Sequence, residues 1–194
     1  MTRKTHGCAA ALRGGVSWLL LWSLAGALHA ACTLTTSATD LDMGRSVAGA
    51  LPASDTPGYK RMGLRQLTVN VVCDHAQSTV NLAFDGLEPV SGKPGAGLVR
   101  WGDAGALLFR IERATVDGSP VPMTLLGKQG LGRSSAVTLA NNDTVALDLN
   151  GLAAQGRRSF SLQLSLAGLL PDAYVVRTQL RIHNQFTVRL VGAQ

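Results

Sequence analysis

The sequence is poor in aromatic and charged residues, which make up 5% and 15% of its 194 positions. Proteins that bind nucleic acids carry clusters of basic residues, often with aromatic side chains on which bases stack. After residue 30, adjacent basic residues occur only as Lys60-Arg61 and Arg157-Arg158, and the single tryptophan, Trp101, has no aromatic neighbour in the sequence. We therefore expect no nucleic-acid partner.

Cysteine is also scarce, with three residues and no CxxC pair. Two of these cysteines, together with His75 and His183, would make a poor zinc ligand set, and Asp40 and Asp42 lack the remaining pattern of a calcium loop. No serine lies in the glycine-flanked elbow that activates a hydrolase nucleophile. We expect no catalytic residue, no metal and no cofactor, so the chain is predicted not to be an enzyme.

One long apolar run is present, and it lies near the start of the chain. Three Lys or Arg residues precede the run at 16–25, and small residues follow it up to Ala30. This pattern is typical of a secretory signal peptide and is too short to span a bilayer comfortably. We assign residues 1–30 to the signal and predict a single domain over residues 31–194, which is enough chain for one sizeable core.

Removal of the signal takes Cys8 away and leaves a pair, Cys32 and Cys73, in an oxidising compartment. We predict that this pair forms a disulfide. In the chain-entropy model, closing a loop of about 40 residues stabilises the fold by roughly 3–4 kcal/mol. Lipidation of Cys32 is not expected, because His29 stands where a lipoprotein signal carries a branched aliphatic residue.

Apolar and polar residues alternate with a period of two through most of the remaining chain, which predicts β-strands. The strands are expected at 65–73, 78–84, 107–114, 121–125, 136–139, 145–149, 159–166, 174–182 and 186–190. We expect the first two to form a hairpin, Asp117-Gly118 to be a tight turn, and residues 168–171 to be another turn. Pro122 predicts an edge strand. The fold class is thus an all-β sandwich.

The cysteine placement resembles that of the pilin subunits assembled by the bacterial chaperone–usher pathway. Cys32 opens the first strand, and Cys73 ends the strand at 67–73. Residues 114–123 resemble the central strand–turn–strand of that family, and residues 160–174 resemble its closing strand pair. The resemblance covers most of residues 31–190.

The resemblance implies an immunoglobulin-like (pilin-type) sandwich that lacks its last strand and leaves an apolar groove open along one side. A periplasmic chaperone would fill that groove first, and the N-terminal extension of the next subunit would replace it in the fibre. The implied partners are the chaperone, an outer-membrane usher and other fimbrial subunits, with a host or surface receptor as a further expected partner. The implied location is the fimbrium on the cell surface, reached through the periplasm.

The sequence departs from that family at both ends. After cleavage only Ala31 would precede Cys32, so we expect no N-terminal donor arm, which favours a minor or tip subunit. Near the other end, Phe186, Val188 and Leu190 alternate like the pocket-filling residues of a donor strand. We predict that this self-complementing strand pairs in the chain's own sheet and partly satisfies the open edge. The alternative is one long final strand with a bulge near His183-Asn184.

Residues 99–103 are the predicted site of ligand contact. Trp101, with Arg100 and Asp103 beside it in a glycine-rich loop, would suit a sugar or a receptor, although a core-capping role for Trp101 is the stronger interpretation. The leading functional hypothesis is a structural or adhesive fimbrial subunit assembled by donor-strand complementation. The alternative is an autonomous secreted β-sandwich binding module that is not incorporated into a fibre.

Overall fold

A computed structural model describes residues 32–44, 47–74, 79–91, 97–126, 132–140, 142–150, 156–174 and 185–191. The predicted signal peptide, His75, His183 and the predicted strand beyond Tyr174 lie outside these residues. The described residues contain a short 3₁₀ helix, Ala48–Ala50, and the following β-strands: β1 Cys32–Thr36, β2 Tyr59–Cys73, β3 Val80–Asp85, β4 Leu98–Trp101, β5 Gly105–Val116, β6 Ser119–Val121, β7 Met123–Leu126, β8 Val137–Thr138, β9 Thr144–Leu147, β10 Arg158–Pro171 and β11 Thr187–Val191.

The strands form two antiparallel sheets. The first sheet has the order β1-β2-β10-β5-β4, and β6 and β8 also pair with β5. The second sheet has the order β11-β3-β9-β7. The two sheets pack face to face, so the predicted all-β, immunoglobulin-like sandwich is confirmed.

The core lies between the sheets and follows from the alternation along each strand, since every second side chain points inward. Phe84 of β3 and Phe109 of β5 are fully buried and contact each other edge to face, with ring centroids 6.1 Å apart. Phe109 also contacts Phe186, next to β11, at 4.9 Å. Phe109 therefore connects the two sheets. Burying each such side chain stabilises the fold by about 1.5–3 kcal/mol.

The predicted disulfide is confirmed. Cys32 and Cys73 lie directly opposite each other in the β1–β2 ladder, and their sulfurs are bonded across a sequence separation of 41 residues. Cys73 is completely buried. The disulfide therefore attaches the first strand to the central part of the first sheet.

The predicted hairpin of residues 65–73 and 78–84 is wrong. β2 pairs with β1 and β10 in the first sheet, whereas β3 pairs with β9 and β11 in the second. Both strands have one buried apolar face, and these faces pack against each other across the core. Alternation shows which side of a strand is buried but does not show to which sheet the strand belongs.

The predicted turn at residues 168–171 is also wrong. β10 continues to Pro171, and its ladder with β2 shifts register between Gly168 and Leu169, which marks a bulge. Leu169 and Leu170 are both buried, and Leu169 packs in a second, smaller cluster with Tyr59, Leu98 and Ala106.

The predicted tight turn is confirmed, and the predicted strand that follows it is divided. Asp117 and Gly118 both have positive φ angles, 50° and 82°, and the ladder closes at Val116 and Ser119. These are the backbone angles of a two-residue hairpin loop. Pro122 then separates β6 in the first sheet from β7 in the second, because it has no N–H for a ladder hydrogen bond.

Candidate functional site

The first strand stops pairing at Ser37. The Ser37 N–H donates to the Thr68 carbonyl at 2.9 Å, and the Ser37 hydroxyl accepts from the Thr68 N–H at 2.9 Å. Residues 38–44, which we call the lip, then leave the ladder. Within the described part of the chain, no backbone–backbone hydrogen bond joins the lip to another segment. The Asp42 carbonyl accepts from Arg65 and the Gly44 N–H donates to the Asp42 carboxylate, so an incoming strand could pair only with the rest of the lip backbone.

The lip still has an inner and an outer side. Ala38, Leu41 and Met43 are partly buried and pack against the main core, while Asp40 and Asp42 are exposed. The Gly44 N–H donates to a carboxylate oxygen of Asp42 at 2.8 Å and ends the lip in a local turn. The lip is thus an irregular segment, bent at Thr39, that rests on the core without belonging to either sheet.

β11 lies across from the lip and is the outer strand of the second sheet as described. It pairs with β3, with Val188 opposite Phe84 and Leu190 opposite Leu82. Phe186, Val188 and Leu190 are partly buried against the core, while Thr187 and Arg189 face solvent. Residues 185–188 form one wall of a groove between β11 and the lip.

Arg189 fastens this wall to its neighbour. Its guanidinium donates a hydrogen bond to the carboxylate of Asp85 on β3, and the two form an ion pair. This hydrogen bond, and then the charge of Asp85, raise the pKa of Arg189 above its ordinary value. The pair holds β11 against β3 from the solvent side.

The groove between the lip and β11 has a volume of about 950 Å³. Its floor is apolar and consists of side chains of the first sheet, namely Leu67, Trp101, Leu107 and Leu166. The charged residues in its lining are Asp40 and Asp42, both on the lip. The arrangement is a channel with apolar side chains on its floor and polar residues along its rim, lying between the lip and β11, and a β-strand can be added at such an edge.

Trp101 lies on β4, not in a loop, and only 7% of its surface is exposed. Its ring lies over Gly168 of β10, where an added Cβ would be 2.6 Å from the ring. Arg100 is exposed and approaches Glu88 at 3.8 Å, and Asp103 is exposed in the turn that follows β4. Trp101 faces the interior while Arg100 and Asp103 face solvent, so the three side chains share no surface. Contact with a sugar or receptor stays a prediction.

Two of the three predicted self-complementing residues lie at the groove. Phe186, just before β11, and Val188 on β11 line it, whereas Leu190 packs against the core outside this lining. That this strand satisfies the open edge stays a prediction. The alternative bulge near His183-Asn184 lies outside the described residues.

Sequence reasoning missed the lip and the floor of the groove. The alternation in Leu41-Asp42-Met43 was a signal for an extended segment, but it is too short to predict a strand. Among the residues that the structure describes, no group of three or more His, Cys, Asp or Glu side chains could hold a metal ion. Over the same residues, no helix is long and apolar enough to cross a bilayer.

Comparisons with protein-family models and with curated proteins find no match for this chain. Among solved structures, the chain is similar to the P pilus rod subunit PapA, with 15% sequence identity and a TM-score of 0.39. The alignment covers 82% of this chain and 97% of that one. A likeness at this level assigns no function to the chain.

Proposed function

We propose that this chain is a structural, non-enzymatic fimbrial subunit whose groove accepts a β-strand from another polypeptide. The observation that supports this function is the groove itself, in which apolar core residues form a floor between two backbone edges. An unpaired sheet edge favours aggregation unless a strand is supplied. A fibre in which subunits complete one another supplies that strand.

The dimensions of the groove suit one strand. β11 has five residues, Thr187–Val191, and a strand rises about 3.3 Å per residue, so β11 offers an edge roughly 17 Å long. Ladder hydrogen bonds to the lip and to β11 would hold the backbone of the inserted strand. Every second side chain of that strand would point at Leu67, Leu107 and Leu166 on the floor.

The partners in this proposal are those that the resemblance to chaperone–usher pilins implies. A periplasmic chaperone would supply the strand first, an outer-membrane usher would receive the complex, and a neighbouring subunit would replace the chaperone on the cell surface. If the export signal is cleaved after Ala30, one residue precedes Cys32, and the subunit would accept a strand without donating an N-terminal one. We propose a minor or tip position on that basis, with any receptor left to be identified.

A fused strand tests the proposal. A short glycine–serine linker after Gln194 would carry a nine-residue strand in which valine or leucine alternates with threonine. We expect the fusion purified from the periplasm to be monomeric and to melt at a higher temperature than the unfused chain. The matched control carries the same linker and a strand in which every valine or leucine is replaced by serine. Equal melting temperatures for the two fusions would contradict the proposal.

A further inference from the structure

One side chain of the first sheet bonds the backbone of the lip. The Nε–H of Arg65 on β2 donates to the Asp42 carbonyl at 2.6 Å, across 23 residues of sequence. Another guanidinium nitrogen, Nη1, donates to the Leu64 carbonyl at 3.0 Å. Arg65 pairs with the inward-facing Leu166, so its side chain leaves the sheet on the side of the groove. Arg65 therefore connects the sheet to the lip.

Gly63 allows the lip to come close to the sheet. The Met43 carbonyl oxygen lies 3.0 Å from the place where a Cβ of Gly63 would be. A side chain at this position would force the Met43 backbone to give by a few tenths of an ångström. The lip thus rests on a bare stretch of β2, two residues before the arginine that holds it.

Apart from Arg65, the lip is held by packing of Ala38, Leu41 and Met43 against the core and by contacts near its ends. Ser37 bonds Thr68 through both its backbone and its hydroxyl group, and Gly44 turns with φ of 81°. Between these ends, and among the described residues, Arg65 is the side chain whose hydrogen bond fixes the lip backbone. Loss of that bond would let the middle of the lip move while both ends stay attached.

We propose that Arg65 is a positioning residue that sets the width of the groove by holding the lip over Gly63. This inference rests on the proposed function. Neighbouring strands in a sheet lie about 4.7–4.9 Å apart, so a strand bonded to both the lip and β11 needs edges roughly 9.5 Å apart. A shift of the lip by about 1 Å would take one of the two ladders beyond hydrogen-bonding distance. Arg65 keeps both ladders within reach.

The test measures binding of the free nine-residue alternating peptide described above to the unfused protein from the periplasm. Trp101 is the single tryptophan after residue 30 and lines the groove, so its fluorescence reports binding. We expect Arg65→Ala to weaken peptide binding about tenfold, which is the fold-change for losing one hydrogen bond of a charged donor, about 1.4 kcal/mol. Arg65→Lys should restore most of the affinity because lysine can donate to the same carbonyl.

Two further variants separate positioning from general effects. Arg113→Ala removes an exposed arginine from β5 of the same sheet and should change the affinity less than twofold. Gly63→Ala keeps Arg65 but pushes on Met43, and it should also weaken binding. Melting temperatures without peptide show whether each variant folds. If Arg65→Ala does not fold, the peptide affinities of Gly63→Ala and Arg65→Lys test the role of Arg65.

The outcomes distinguish this inference from the function on which it rests. If the peptide does not bind the wild-type protein, the strand-accepting function is contradicted, and the role of Arg65 with it. If the peptide binds the wild type and the folded Arg65→Ala and Gly63→Ala variants equally well, the groove accepts a strand but Arg65 does not set its width. A loss of affinity in both variants, with rescue by lysine, supports the proposal.

Discussion

Two neighbouring stretches near the start of the domain, β1 and the lip, have opposite structural roles. Every residue of β1 is in register with β2, and its first residue is tied to β2 by the disulfide. The lip follows after a single residue, packs apolar side chains on the same core, and makes no backbone ladder within the described residues. Only β1 is paired. A disulfide and a full ladder hold β1, while the segment available for binding lies a few residues away without a ladder.

The largest effect is expected at a side chain that the closed core and the β11 wall of the groove share. Phe109 packs against Phe84 in the closed core and against Phe186 in the groove wall. Phe109→Ala should lower the free energy of unfolding by about 3–5 kcal/mol, because it removes a fully buried aromatic ring. Urea denaturation measures this loss. The control, Leu64→Ala at a position 51% exposed, should stay within about 0.5 kcal/mol of wild type. Similar losses of unfolding free energy for the two variants would show that Phe109 does not join the core to the groove wall.

Removal of the disulfide should weaken the attachment of β1 without changing strand binding at the lip. The double variant Cys32→Ser, Cys73→Ser should lose about 3–4 kcal/mol of unfolding free energy, because the unfolded chain is no longer constrained. Where it remains folded, its affinity for the alternating peptide should stay within twofold of wild type, since neither cysteine lines the groove. Reducing agent should destabilise the wild type and leave the double variant unchanged. A large loss of peptide affinity in the folded variant would mean that the two regions are not separate.

Trp101 on the floor of the groove contacts Gly168, so a substitution at Gly168 changes the floor without changing the lip or β11. Gly168→Ala places a Cβ against the indole ring and should cost about 1–3 kcal/mol, the usual range for overpacking. The emission of Trp101 should shift as the ring moves. Gly156→Ala is the matched control, because a Cβ there meets no atom within 4 Å. An unchanged emission spectrum for Gly168→Ala would contradict the placement of the ring over Gly168.

The smallest effect is expected at the ion pair on the groove wall. Arg189→Gln should lower the melting temperature slightly at low salt and have no effect near 1 M salt, because exposed ion pairs are weak and screened. The pKa of Arg189 is raised, so its contribution is fully present below its ordinary pKa and is lost only as pH rises through the higher value. We therefore expect no loss from Arg189 titration near neutral pH. A melting-temperature difference that persists at high salt would point to packing by the Arg189 side chain instead of its charge.

The sequence predicted local features well and their arrangement poorly. The Cys32–Cys73 bridge and the Asp117-Gly118 turn follow from residue chemistry and local backbone angles. Local patterns do not show to which sheet β3 belongs, because a hairpin and two strands facing each other across a core have the same alternation. Gly168 suggested a turn, but its lack of a side chain instead makes room for Trp101. The groove itself depends on where the lip leaves β2, and that position is set by tertiary contacts of Arg65 and Gly63.

Amide hydrogen exchange on the fused-strand protein tests the central claim most directly. The comparison is with the serine-substituted control fusion, residue by residue. If the groove accepts a strand between its two edges, amides of residues 38–44 and of the outer edge of β11 should exchange more slowly in the alternating fusion, while β1 is unchanged. Equal exchange of both edges in the two fusions would show that the strand does not enter the groove, and the account would be wrong.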